Sequence, residues 1–191
     1  MARSAKQNEA MRAAARQALI KSAMTLFAHK GYAETSTRQI SKDAEISAGL
    51  LYHYFPSKES LLLAVFDQSM GRLDGAFTEV LEKNLPANRL APLLDVSFQI
   101  LAEDPHYWSL FFSLRAQPAV MKILAAEFRW RMNSLRAVFA QELALIGRAE
   151  PELEAYLLYG GLEGTMQQYL LDPESYPLAA VAQRLIRDFT T

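Results

Sequence analysis

The chain of 191 residues contains no cysteine. That excludes disulfides and thiolate metal sites, and it fits a cytoplasmic protein. Long apolar runs are missing as well. Stretches such as 155–161 and 110–114 are far too short to span a bilayer. The N-terminus, MARSAKQNEAMRAAARQ, mixes basic and small residues without the apolar centre of a signal peptide. Almost nothing alternates apolar and polar residues with a period of two, which leaves little case for strands. Catalytic signatures are absent too: no P-loop, GxGxxG, HExxH, GxSxG or Cys–His pair occurs. The acidic pairs Glu103-Asp104 and Asp172 with Glu174 fall at helix breaks. No catalytic residue, cofactor or metal ligand is therefore assigned, and an enzyme is not expected.

What is present is a helical pattern throughout a chain of ordinary globular make-up, with 51% hydrophobic and 21% charged residues. Leu19, Ala23, Leu26 and Phe27 form the inner face of a first helix ending at Gly31, with His29 and Lys30 at its close. Two short helices follow. Pro56 and Ser57 then start a long fourth helix, expected to reach about Lys83 and to be weakened by Gly71 and Gly75. A turn around Pro86 spans 84–88, and further helices are expected at 90–102, 106–115, 119–146, 152–171 and 178–189. The reading is all-α with about nine helices. No repeat or low-complexity tract appears.

Net charge is only −1, but it is unevenly spread. Residues 1–60 hold nine Lys/Arg against five Asp/Glu, a balance of +4, and the rest holds eleven against sixteen, or −5. A positive head on a negative body suits a module that neutralises phosphates at one end.

Residues 35–58, TSTRQISKDAEISAGLLYHYFPSK, carry the sharpest signal. Ser36 with Gln39 has capping-box spacing, and Ser47 precedes a second helical run. Ile46 and Leu51 flank that second cap at the spacing of a hydrophobic staple. With Ile40, Ala44, Leu51 and Phe55 turned inward, Ala48, Gly49, Leu50, Tyr52, His53 and Tyr54 are left on the outer faces. Water offers such a surface little. A DNA major groove offers it much.

At these positions the chain resembles the TetR family of bacterial transcriptional regulators, through FAHKGYAETSTRQISKDAEIS and LLYHYFPSKESLL. The resemblance covers roughly residues 19–62. It implies a three-helix helix-turn-helix DNA-binding domain over 1–60, then a helical ligand-binding and dimerisation domain over 61–191. Thr37, Tyr52, Tyr54 and Lys58 match the family's phosphate-contact positions, and Arg38 matches one that often meets a base. Ala48 and Leu50 could touch thymine methyls, Gly49 permits close approach, and His53 suits a groove or phosphate contact better than a metal. Residues 1–10, with Arg3 and Lys6, form a basic arm, continued by Arg12 and Arg16, that either follows the minor groove or stays disordered.

One such module reads too few base pairs alone, so the expected partner is a second copy on a palindromic double-stranded operator. Leu153, Tyr156, Leu157, Gly160, Gly161 and Gly164, with Leu178, Val181, Leu185, Ile186 and Phe189, form the candidate interface; the resemblance implies a dimeric four-helix bundle there. The candidate effector pocket takes Phe98, Tyr107, Trp108, Phe111, Phe112, Met121, Phe128, Met132, Tyr159, Glu163, Met166 and Gln167. Its aromatic and sulfur-rich make-up suits a small apolar or aromatic molecule. The expected function is a ligand-responsive regulator, a repressor by the family's habit. The competing reading is a helical small-molecule carrier without DNA-binding activity.

Overall fold

The computed structural model describes residues 5–83 and 89–190, with side chains from Gln7 onward. The turn expected around Pro86 and the arm side chains Arg3 and Lys6 lie outside the described residues. Within them the chain forms nine helices and no strand: α1 Ala5–Lys30, α2 Thr37–Asp43, α3 Ala48–Tyr54, α4 Lys58–Glu82, α5 Leu90–Glu103, α6 Pro105–Arg115, α7 Pro118–Leu145, α8 Pro151–Leu171 and α9 Leu178–Thr190.

Local chemistry accounts for most of these boundaries. Gly31, at φ 93°, ends α1 in the left-handed conformation that a residue without Cβ adopts freely. Ser36 and Gln39 form the reciprocal capping box at the start of α2, and the Ser47 hydroxyl accepts the Leu50 N–H at the start of α3. Pro105, Pro118 and Pro151 each occupy the first position of a helix rather than the break before it. Their missing N–H is one that a helix start leaves unpaired, and their fixed φ already suits the helix. Arg12 and Arg16 lie on α1, and α4 runs unbroken through Gly71 and Gly75.

The chain divides into two compact units, Met1–Met70 with Leu110–Leu124 and Gly71–Ser109 with Ala125–Thr191. Three helices (α4, α6 and α7) run from one unit into the other. In the first unit Leu19, Ile20, Ala23, Phe27, Ile40, Leu51, Phe55 and Leu62 are buried, and Phe66 stacks on Phe111 with ring centroids 6.2 Å apart. Burying side chains of this size contributes roughly 1.5–3 kcal/mol each.

The second unit is built on Leu90, Leu94, Phe98, Phe139, Leu143, Ala155, Leu158, Leu162 and Ala182. Buried among these helices is one carboxylate, Glu142. Arg89 encloses it: Nη2 and Nε donate to Oε1 at 2.6 and 3.0 Å, and the backbone N–H donates to Oε2 at 3.0 Å. Arg89 Nη1 also donates to the Leu81 carbonyl at 3.1 Å, so one side chain joins the end of α4 to the start of α5 and to α7.

Candidate nucleic-acid interface

The three-helix head is assembled by polar bonds between elements as much as by its core. The buried Ser22 hydroxyl on α1 lies 2.6 Å from Asp43 Oδ2 and 3.2 Å from the Ile40 carbonyl, fixing the end of α2 against α1. The turn from α2 into α3 passes through Glu45, whose φ of 55° makes it the one non-glycine residue with positive φ among those described. Ile46 N–H then donates to the Ser41 carbonyl at 2.8 Å, closing the turn.

With Leu51 and Phe55 buried, α3 presents its other faces outward. Ala48, Gly49 and His53 are exposed, Leu50 and Tyr52 are 38% and 51% exposed, and Tyr54 is half-buried with its ring edge-on to His53. Arg16 reaches from α1 to lie over the Phe55 ring, 5.3 Å from its centroid. Thr37 Oγ1 and Tyr52 Oη are 2.9 Å apart, joining the start of α2 to the C-terminal half of α3. Arg38 is exposed beside them and has no ion pair among the described residues, since Asp43 is bonded to Ser22 instead. Thr37, Arg38, Ala48, Gly49, Leu50, Tyr52, His53 and Tyr54 thus share one end of the first unit. These groups can donate to phosphate and base edges, stack, and touch methyl groups, which is the mixture that groove reading requires.

Lys58 is placed differently. Its ammonium donates to the carbonyls of Tyr32, Ala33 and Thr35 at 2.8, 3.3 and 3.0 Å and sits 4.5 Å from the Tyr32 ring centroid. Burial first, and the negative charge of Glu59 second, push the Tyr32 phenol above its ordinary pKa, so it stays neutral beneath the ammonium. Gln117, which the sequence reading did not single out, holds the same loop. Its Nε2 donates to the Phe27 carbonyl and its Oε1 accepts the Tyr32 N–H, both at 2.7 Å.

The other candidate residues lie elsewhere. In the first unit Phe111 is buried on Phe66, while Phe112, under the Arg115 guanidinium, and Met121 are half-buried. In the second, Phe98, Trp108 and Phe128 are buried, and Trp108 Nε1 donates to the Ile100 carbonyl at 3.0 Å. Tyr107 packs edge-on to Trp108, Tyr159 and Met166 pack against the core, Met132 and Glu163 are half-buried, and Gln167 is exposed.

Helix α8 has two apolar faces. One buries Ala155, Leu158 and Leu162; the other leaves Leu153, Tyr156 and Leu157 exposed, with Gly160 beside them. Of the three glycines, only Gly161 is explained by packing within the chain. A Cβ there would lie 2.9 Å from Leu185 of α9, whereas Gly160 and Gly164 face open space. Leu178, Leu185, Ile186 and Phe189 pack on the core only in part, as Val181 is also half-buried.

No group of His, Asp and Glu able to hold a metal occurs among the described residues, and no described helix is long and apolar enough to cross a membrane.

Comparison with known proteins bears on the same residues. The model of the bacterial regulatory proteins of the tetR family matches residues 19–65, which span α1 to α4 through both short helices. YuxN of Bacillus subtilis, named as an HTH-type transcriptional regulator, is 30% identical over 156 residues; the match takes in 80% of this chain and 52% of that protein, about half its length. The fatty acid metabolism regulator protein of the same organism is 21% identical over 88% of this chain and 90% of its own. The crystal structure of the transcriptional regulator FadR from Bacillus subtilis in complex with stearoyl-CoA superposes with a TM-score of 0.71 at 21% identity, covering 92% of this chain and 97% of that one, and shares its fold. These relatives are named as regulators, not enzymes. The match over residues 19–65, together with the HTH-type regulator that the chain resembles, places it in the TetR family of bacterial regulatory proteins.

Proposed function

We propose that this chain is a cytoplasmic transcriptional regulator that binds a palindromic operator as a homodimer and releases it on binding a small apolar or aromatic effector. The observation that carries the reading is the outer surface of α2 and α3. There Arg38, Leu50, Tyr52 and His53 stand exposed over a buried Ile40, Leu51 and Phe55. A small-molecule carrier has no use for such a surface. Residues 1–60 are the DNA-binding domain in this reading, and 61–191 carry the effector and dimer functions.

Thr37 and Tyr52 serve as a paired phosphate contact, with Tyr54 and His53 alongside. Arg38 reads a base edge, and a bidentate pair with guanine would contribute about 1–3 kcal/mol of discrimination. Gly49 lets the backbone approach, and Ala48 and Leu50 meet thymine methyls. The second copy is supported by the outer face of α8, where Leu153, Tyr156 and Leu157 stay exposed and Gly160 leaves room for a close neighbour. Two heads paired in this way match half-sites roughly 34–36 Å apart or a multiple of that.

The effector class rests on the aromatic residues of α5 to α8, Phe98, Trp108 and Phe128 among them. Stearoyl-CoA, in complex with which the FadR neighbour was solved, joins a long apolar acyl chain to a polar, charged CoA portion, and its acyl chain makes it a first probe. A repressor follows if the operator overlaps a promoter, and effector binding then acts by favouring a state with lower operator affinity.

The test is selection of bound genomic fragments followed by anisotropy titration. A palindrome bound by two copies, with affinity falling steeply as salt rises, supports the reading. Failure to retain any duplex at low salt would sink it.

A further inference from the structure

The loop between α1 and α2, Gly31 to Ser36, leads directly into the outer surface of the head. It delivers Ser36 to the capping box, and the next residue, Thr37, to Tyr52. Loops of this kind are usually held by their own side chains. Thr35 does this in part, bonding the Leu26 and Gly31 carbonyls at 3.2 and 2.8 Å. Two long side chains from distant elements hold the remainder. Lys58, at the first position of α4, takes the carbonyls of Tyr32, Ala33 and Thr35. Gln117, between α6 and α7, takes the carbonyl before the Gly31 turn and the N–H after it.

An ammonium has three N–H donors. All three of Lys58's point at carbonyls, which leaves none for a phosphate. The carboxamide of Gln117 uses its oxygen and its nitrogen on opposite sides of a left-handed turn, so a shift of the α6–α7 corner must pull on both.

We propose that Lys58 and Gln117 are positioning residues for operator binding. Together they fix the α1–α2 loop, and through it the Thr37–Tyr52 pair, and Lys58 does not itself touch DNA. The inference rests on the regulator reading above, and its test separates the two.

Operator fragments are titrated by anisotropy over a series of salt concentrations with the full chain and with Lys58→Met, Gln117→Leu and Gln117→Glu. Each variant is expected to bind about tenfold or more weaker, while the slope of log affinity against log salt stays that of the parent, because no phosphate contact is lost. The Lys58→Met/Gln117→Leu double variant is expected to lose less than the product of the two, since both act on one loop. In parallel, hydrogen exchange of the peptide spanning Gly31 to Ser36 is expected to quicken in every variant.

A Lys58→Met slope lower by about 0.9 per half-site would instead place Lys58 on a phosphate and overturn the proposal. So would Gln117 variants that bind within twofold of the parent. Should Gln117→Leu unfold, Gln117→Glu decides, because it keeps the acceptor for the Tyr32 N–H and replaces the donor to the Phe27 carbonyl by a carboxylate oxygen that repels it. If the parent itself binds no duplex, the regulator reading fails, and the exchange measurement still shows whether the two side chains hold the loop.

Discussion

The head and the body of this protein are held together in different ways. In the first unit, side chains bond to backbone across element boundaries: Ser22 to the end of α2, Ser36 and Ser47 to helix starts, Lys58 and Gln117 to the α1–α2 loop. In the second, an apolar cluster forms the core, with Glu142 as the one buried carboxylate among the described residues, and fewer side chains, Arg89 and Arg148 among them, bond to the backbone of another element. Directional bonds fix orientation, and a reading surface needs its side chains fixed to within a fraction of an ångström. An apolar cluster fixes volume rather than direction, and it can repack around a guest. Under the function proposed above, the difference suits a rigid reader and an adaptable sensor.

The largest expected effect tests the buried carboxylate of the body, Glu142, and its partner Arg89. Glu142→Ala leaves the Arg89 guanidinium facing the Leu81 carbonyl with its carboxylate gone. Removing one partner of a buried pair costs about 3–5 kcal/mol, read as a fall in urea midpoint at unchanged slope. Arg89→Met with Glu142→Leu should recover most of that, because the desolvation of both charges disappears. If Glu142→Ala alone loses less than about 1 kcal/mol, the ion pair contributes little to the body and the contrast with the head sharpens.

Next in size is the α8 face. Leu157→Glu adds a charge to a side chain 62% exposed in one chain, so the monomer should keep its unfolding midpoint. Two-site binding should be lost, with operator affinity down on the order of a hundredfold, and sedimentation should show single copies. A Leu157→Glu protein that remains dimeric moves the interface elsewhere.

A smaller effect belongs to the head. Arg38→Ala should cost about 1–3 kcal/mol of discrimination at one base position in each half-site, measured by selecting sites from a randomised operator. Because Arg38 has no ion pair to lose, its removal should leave stability within about 0.5 kcal/mol. Equal preference before and after would make Arg38 a phosphate contact at most.

How much of this could be read from the sequence follows the same division. The head's helices and outer face are written in signals three to five residues apart: Ser36 with Gln39, Ile46 with Leu51, Ser47 ahead of Leu50. What the sequence hid is long-range. Lys58 reaches back 23–26 residues to three carbonyls, and Gln117 meets α1 and its loop 85–90 residues away. Backbone carbonyls carry no residue type, so no pattern marks them as partners. Arg89 and Glu142, 53 residues apart, are an ion pair that only tertiary packing chooses from many Arg–Glu combinations. The helix boundaries of the body came through to within about two residues because proline and glycine mark them locally. On α8 both faces are apolar, so only tertiary packing shows that Ala155, Leu158 and Leu162 are buried while Leu153, Tyr156 and Leu157 are exposed. Gly161 could be told from Gly160 only by where Leu185 lies.

The smallest expected effect lies inside the head, at Glu45. A left-handed conformation costs a residue with a Cβ roughly 1–2 kcal/mol, and Glu45 adopts it at φ 55° between α2 and α3. Glycine would remove that strain while adding about 0.5–1 kcal/mol of backbone entropy to lose on folding. The two oppose each other, so Glu45→Gly should stabilise by a few tenths of a kcal/mol to about 1 kcal/mol. Stability alone does not sharpen the comparison, but operator affinity measured beside it does. If the side-chain bonds of Ser22 and Ser41's carbonyl with Ile46 already fix the angle between α2 and α3, a looser turn should leave affinity unchanged. If the strained turn itself sets that angle, Glu45→Gly should be the more stable protein and the weaker binder.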